Sequence, residues 1–194
     1  MPAKGRSTTK SARVIATLET ARDIRAGALA LRKLCPVLRR VHDEVGDPDL
    51  RRHPPGFEGL ARVVVGQQLS AASAAAIWQR CAGAVQPFCA KTFLAQDDAA
   101  LRAVGLSRGK VKTLRAVAEA LQSGALSLDS SLSDADLVDA LVRINGIGPW
   151  TADIYLLFCL GRSDGFASGD LALQIAVQRA FALDQRPRAP ELRS

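Results

Sequence analysis

Residues 145–161 read NGIGPWTADIYLLFCLG, placing two glycines and a proline within five residues and running at once into an apolar segment that carries a tryptophan. Gly146 and Gly148 can adopt positive φ and carry no Cβ, so backbone amides there can converge and an outside group can approach them closely. Pro149 suits the first position of a helix, whose unsatisfied N–H groups and dipole favour an anion. The stretch therefore predicts a tight connection between two helices. Local composition leaves two uses for it on equal footing: a plain turn with glycine as cap and proline as helix starter, or a phosphate-sized socket.

The surrounding chain reads as helix almost throughout, because apolar residues recur at three- and four-residue spacing without β-branched alternation. Helices are expected over 19–33 and over 34–45, the second entered through Pro36 and ended near Gly46, followed by the breaker-rich loop GDPDLRRHPPG. Residues 57–85 divide into two helices around Gln67–Ser70, where Gly66 and Ser70 interrupt the apolar run. A helix from Arg108 to Gln122 is capped by Ser107 and stopped by Gly124, and the segment from Ser133, with Asp136 three residues on, carries Leu137, Leu141 and Ile144 on one stripe. A last helix follows Asp170. The fold class is all-α, with no significant sheet.

The chain has 194 residues, enough for one sizeable domain, and 26 Lys and Arg against 19 Asp and Glu, a formal charge of +7. Such a balance favours a polyanionic partner, nucleic acid above all. Four cysteines lie far apart without a CxxC pair, and only two histidines accompany them. No structural metal or iron–sulfur site is expected from that set. With no charged-then-apolar leader and no apolar stretch near the length of a membrane span, the reading is a soluble protein of a reducing compartment, cytoplasmic and nucleoid-associated, without a membrane partner. Residues 1–15 have the composition of a basic, disordered, DNA-seeking tail, with an organellar presequence as the second reading.

Asp170, just before an apolar helical run, reads first as an N-cap that accepts backbone N–H bonds. The same carboxylate at a helix start has a depressed pKa, stays ionised, and can stabilise an oxocarbenium-like cation or orient water toward it. One residue can do both.

Three blocks in order, VVVGQQLSAASAAAIW, GLSRGKVKTL and LVRINGIGPWTADIYLLFCLGRSDGFASGDLAL, resemble the helix-hairpin-helix DNA glycosylase superfamily, closest to the DNA-3-methyladenine glycosylase II branch, over roughly residues 55–182. The resemblance implies a two-lobed fold within 16–194, lobe 1 from about 16–60 plus 165–194 and lobe 2 from about 61–164. It also implies a function, removal of a flipped alkylated base from duplex DNA in base excision repair. Gly146, Ile147 and Gly148 would form the DNA-binding hairpin and Asp170 would be the catalytic carboxylate. Trp150 stands where relatives that also cut the backbone place a lysine that forms a Schiff base, so the resemblance implies a monofunctional enzyme that uses water.

An indole face also suits a cationic alkylpurine, which makes Trp150 a base-pocket residue, with Tyr155 and Gln67 as further candidates. The GQQLS stretch matches the loop that fills the gap left by a flipped nucleotide; Gln68 is the candidate wedge and Leu69 the second. Arg108, Lys110 and Arg143 are candidate phosphate contacts. No cofactor is expected, although a monovalent cation sits at the hairpin in some relatives. The partner is duplex DNA with a damaged base, met by a monomer.

The family's closing helices, with a Trp-Arg-Pro-Tyr-Arg-type segment, do not follow Phe181; the chain ends in DQRPRAPELRS, so those helices are expected to be missing. The rival readings are a non-catalytic DNA-binding module that uses only the hairpin and a glycosylase for another lesion class.

Overall fold

Short polar side chains decide where most helices of this chain begin. In the computed structural model residues 17–193 are described, so the basic tail read at 1–15 lies outside the described residues. Thr20 opens α1 (Ala21–Leu34) through a reciprocal box with Asp23, and Pro36 opens α2 (Pro36–Val45), which Gly46 ends at φ 76°. The first helix starts two residues later than its periodicity suggested because Thr20 is spent as the cap.

Next come α3 (Phe57–Gly66) and α4 (Ala71–Ala84), the latter capped by Ser70. Two short helices, α5 (Ala90–Leu94) and α6 (Asp98–Ala103), lead to α7 (Arg108–Gln122), capped by Ser107, and α8 (Asp134–Val142), capped by Ser133. The α9 helix (Pro149–Ile154) runs without a break into a π-helical turn (Tyr155–Leu160) that Gly161 ends in the left-handed region at φ 69°. The chain closes with α10 (Leu171–Ala180), capped by Asp170, and α11 (Ala189–Arg193), a short helix in the tail after Phe181. Among the described residues the only extended pairing is one antiparallel bridge, Thr17 to Arg162, so the chain is all-α. No described helix is long and apolar enough to cross a membrane.

The core forms around α3, whose Leu60, Ala61, Val64 and Val65 are fully enclosed by α4, α7 and the π-helical turn. Val111, Leu114 and Val117 of α7 and Leu137 and Leu141 of α8 complete it. Each such aliphatic side chain contributes roughly 1.5–3 kcal/mol of transfer free energy. Phe57, Trp78, Phe88 and Phe93 pack at one end, with ring centroids from 4.8 Å for Trp78–Phe88 to 6.2 Å for Phe88–Phe93. By contrast α1, α2 and α10 contain no buried residue; α2 rests on both the others, and Arg40 Nη2 donates to the Ala180 carbonyl at 2.5 Å.

Buried Arg162 ties the end of the π-helical turn to the start of α8. Its Nη2 donates to the carbonyls of Ser130 (2.5 Å) and Leu132 (3.2 Å), and its Nε lies 3.1 Å from Asp134 Oδ1. The two helices that flank NGIGPW are thus clamped at their far ends as well as joined by the turn.

Tyr155 belongs to the core rather than to a base pocket, which corrects the sequence expectation. Its ring is fully buried and its hydroxyl accepts the Gly56 N–H at 2.9 Å. Burial pushes the phenol up to about 12, against the opposing pull of the Gly56 amide. Tyr155→Phe leaves that amide at the start of α3 without an acceptor and should cost about 1–3 kcal/mol in thermal or urea denaturation, with the helical far-UV spectrum unchanged.

Candidate functional site

Asp170 caps α10 in the ordinary way: its Oδ1 accepts the Leu173 N–H at 3.0 Å. Its other oxygen, Oδ2, accepts the indole Nε1–H of Trp150 at 2.8 Å, a bond between the first turn of α9 and the start of α10. Burial alone would raise this carboxyl, but the amides of Leu173 and Ala172 and the Trp150 indole outweigh it and hold it below the ordinary 3.8. The group is therefore a half-buried, ionised carboxylate at neutral pH.

The preceding connection is a helical hairpin. Ile147 is buried at its centre, and its N–H donates to the Ile144 carbonyl at 3.0 Å. Gly146 has φ +91°, and a Cβ there would lie 1.9 Å from Thr113 Oγ1 on α7, so both the backbone angle and the neighbour require glycine. Gly148 differs: its φ of −101° suits any residue, and a Cβ would meet nothing of the protein within 4 Å. Space is therefore left open where the amides that start α9 face outward.

The GQQLS loop is braced against this hairpin. Gln67 Nε2 donates to Thr151 Oγ1 at 2.8 Å and to the Gly146 carbonyl at 3.4 Å. Lys110 Nζ donates to the carbonyls of Val65 (2.7 Å) and Gln67 (3.0 Å), closing the end of α3. Two sequence assignments change as a result. Gln67 braces the hairpin instead of lining a base pocket, and the Lys110 ammonium serves α3 carbonyls instead of facing phosphate. Gln68 sits exposed at φ +58°, a left-handed conformation that costs a non-glycine residue roughly 1–2 kcal/mol. Leu69 next to it is also exposed and lines the mouth of a cleft. Arg108, the first residue of α7, and Arg143, just before the hairpin in the chain, are both exposed.

That cleft, of about 980 Å³, is walled by Leu69, Trp78, Trp150, Ile154, Ala167 and Asp170. Ile154, four residues after Trp150 and so on the same helical face, occupies the place assigned to Tyr155 from the sequence. Arg51 and Arg62 also line it, and the Arg62 guanidinium is 5.6 Å from the Trp78 ring centroid. Burial pushes the Cys81 thiol to about 11 and that of Cys159 to about 12, so neither supplies a thiolate. Among the described residues no group of three or more His, Cys, Asp and Glu side chains is placed to hold a metal ion.

A family model described as HhH-GPD superfamily base excision DNA repair protein matches residues 61–194. The chain belongs to the HhH-GPD superfamily. It is similar to DNA-3-methyladenine glycosylase 1 of Schizosaccharomyces pombe, with 33% identity over 137 residues, 68% of this chain and 60% of that one. Among solved structures it resembles the 3-methyladenine DNA glycosylase of the same yeast in complex with abasic DNA, at 27% identity and a TM-score of 0.76, covering 85% of this chain and 84% of that one. It also resembles the DNA-3-methyladenine glycosidase of Bacillus halodurans, at 28% identity and a TM-score of 0.72, covering 86% and 78%. Against the first curated relatives it matches, the chain spans 26% and 60% of their length.

In this HhH-GPD protein the two hairpin glycines make opposite demands, which can be measured. Gly146→Ala should destabilise the fold by about 1–3 kcal/mol through the Thr113 clash and the positive φ. Gly148→Ala should leave the melting temperature within about two degrees, since substitutions away from packed features fall within about 0.5 kcal/mol.

Proposed function

We propose that the protein is a monofunctional DNA glycosylase that hydrolyses the N-glycosidic bond of alkylated purines of the 3-methyladenine type in duplex DNA. The observation that carries this reading is the ionised Asp170 carboxylate, held by the Leu173 amide and the Trp150 indole at the wall of a cleft large enough for a base.

The hairpin supports the reading as a phosphate-contacting element, with an open approach at Gly148 and exposed Arg143 just before it in the chain, and exposed Arg108 at the start of α7 adds a further candidate contact. The flipped base enters the cleft over Trp150, and Gln68 or Leu69 occupies the vacated stack. As the bond from C1′ to the base nitrogen breaks, its electron pair leaves with the purine and the sugar acquires oxocarbenium character. A fixed carboxylate stabilises that cation most in the transition state, where the charge is greatest. Water then adds to C1′ and loses its proton to Asp170 or solvent, leaving an abasic site in an intact strand. Methylation at N3 or N7 has already made the purine a good leaving group, so no strong general acid is needed on the base. Trp150 carries no amine to form a Schiff base, so the strand is not cut by an imine-linked elimination at that position.

Incubation with N-methylated duplex DNA should release methylpurine while mismatched and oxidised duplexes remain intact, and strand breaks should appear only after alkali. Asp170→Asn should lower release by at least about a hundredfold while abasic-site duplex still binds. Normal release by that variant contradicts the reading. Trp150→Phe removes one donor to the carboxylate and so raises the Asp170 pKa. The acidic limb of the rate profile should then move to higher pH, because a carboxylate with a depressed pKa loses its ionised form only as pH falls through that value. A limb at the wild-type position would show that the indole does not tune Asp170.

A further inference from the structure

The segment 163–170 that delivers Asp170 is short and half exposed, and its buried side chains are those of Ala167 and Ser168. Its internal bonds are local, from the Ser168 N–H to the Phe166 carbonyl (2.9 Å) and from the Asp170 N–H to the Ala167 carbonyl (2.8 Å). Beyond the burial of those two side chains and the close approach of Gly165 to the Leu157 backbone, the loop depends on bonds from neighbouring elements to fix a carboxylate within the fraction of an ångström that transition-state stabilisation demands.

A clamp from the far end of the described chain meets that need. Arg193, on α11, donates from Nη2 to Asp153 Oδ2 at 2.7 Å and to the Phe166 carbonyl at 2.9 Å, and from Nε to Ser168 Oγ at 2.8 Å. Asp153 lies on α9, three residues after Trp150, and its side chain is 9% exposed. The planar guanidinium thus reaches both α9 and the Phe166 carbonyl through Nη2 and Ser168 through Nε, a forked geometry that a lysine does not reproduce. Gln174 Nε2, one turn into α10, donates to the Ser168 carbonyl at 2.9 Å and closes the frame from the other side.

We propose that Arg193 is a positioning residue for the Asp170 carboxylate, acting by locking the 166–168 loop to α9 through Asp153 so that Asp170 and the Trp150 indole stay in register. Arg193 itself does not line the cleft that Asp170 borders. Its contacts brace α9, whose first turn carries Trp150, against the loop that ends in Asp170, a relation that a purely stabilising surface ion pair would lack.

This inference rests on Asp170 being the group that supports base loss, so Asp170→Asn belongs in the same single-turnover series as Arg193→Met, Arg193→Lys and Asp153→Asn. Arg193→Met should slow release of methylpurine by about ten- to a hundredfold at saturating enzyme. Affinity for abasic-site duplex should stay within threefold of wild type, and the acidic limb of the rate profile should move to higher pH as the Trp150–Asp170 bond loosens. Asp153→Asn should share the direction of both changes, and Arg193→Lys should recover only part of the rate. If Asp170→Asn abolishes release while Arg193→Met and Asp153→Asn release base at the wild-type rate with an unmoved limb, the positioning role is overturned and the catalytic reading stands. If Arg193→Met loses rate only in proportion to lost DNA affinity or folded fraction, or if Arg193→Lys restores the rate in full, the role is likewise overturned. Wild-type release by Asp170→Asn would overturn the reading beneath it instead.

Discussion

The 2.8 Å bond from the Trp150 indole to Asp170 is the contact on which the site depends. It joins the first turn of the hairpin's second helix to the start of α10, so the hairpin and the element that supplies the carboxylate are held at one distance. It also decides the charge state. A half-buried carboxyl would tend toward the neutral form, and here one indole and two backbone amides reverse that tendency. Helix capping and the tryptophan contact use different oxygens of the same group: Oδ1 satisfies the helix end and Oδ2 meets the indole.

The surrounding braces share a logic. Gln67 ties the GQQLS loop to the hairpin through Thr151 and Gly146, and Lys110 ties the same loop to α7 by closing the α3 carbonyls. Binding that bends or opens a duplex must hold several contact points at fixed spacing while it does so. The hairpin, the loop and the carboxylate are each attached to their neighbours by side-chain bonds to backbone groups, which hold position more tightly than apolar contact alone. Gln68 in a left-handed conformation at the exposed tip is the one place in that loop where backbone strain is visible.

Much of this was legible in the sequence because it is written locally. The caps at Ser70, Ser107, Ser133 and Asp170 each announce a helix start within four residues, and all four form the expected bonds. The break at Gln67–Ser70 and the all-helical class follow from the same local signals. Tyr155 was misassigned by one residue of helical phase: the position that shares a face with Trp150 is four residues on, at Ile154, and the fifth points into the core. Gln67 and Lys110 could be recognised as polar residues at a junction, but their partners lie 84 and 45 residues away and no local pattern names them. Arg193 carried no signal at all, since a lone arginine in a polar tail looks like any solvated charge until the fold brings Asp153, 40 residues distant, beside it.

The central claim is that an ionised carboxylate faces the place where positive charge develops on the sugar. Its most direct measurement is a comparison of affinities for two duplexes that differ only at the abasic position, one carrying a neutral tetrahydrofuran ring and the other a protonated pyrrolidine ring. The account predicts that the wild-type protein prefers the cationic ring by about tenfold or more, and that Asp170→Asn binds the two alike. Equal affinity of the wild-type protein for both duplexes, or an undiminished preference in Asp170→Asn, would contradict it.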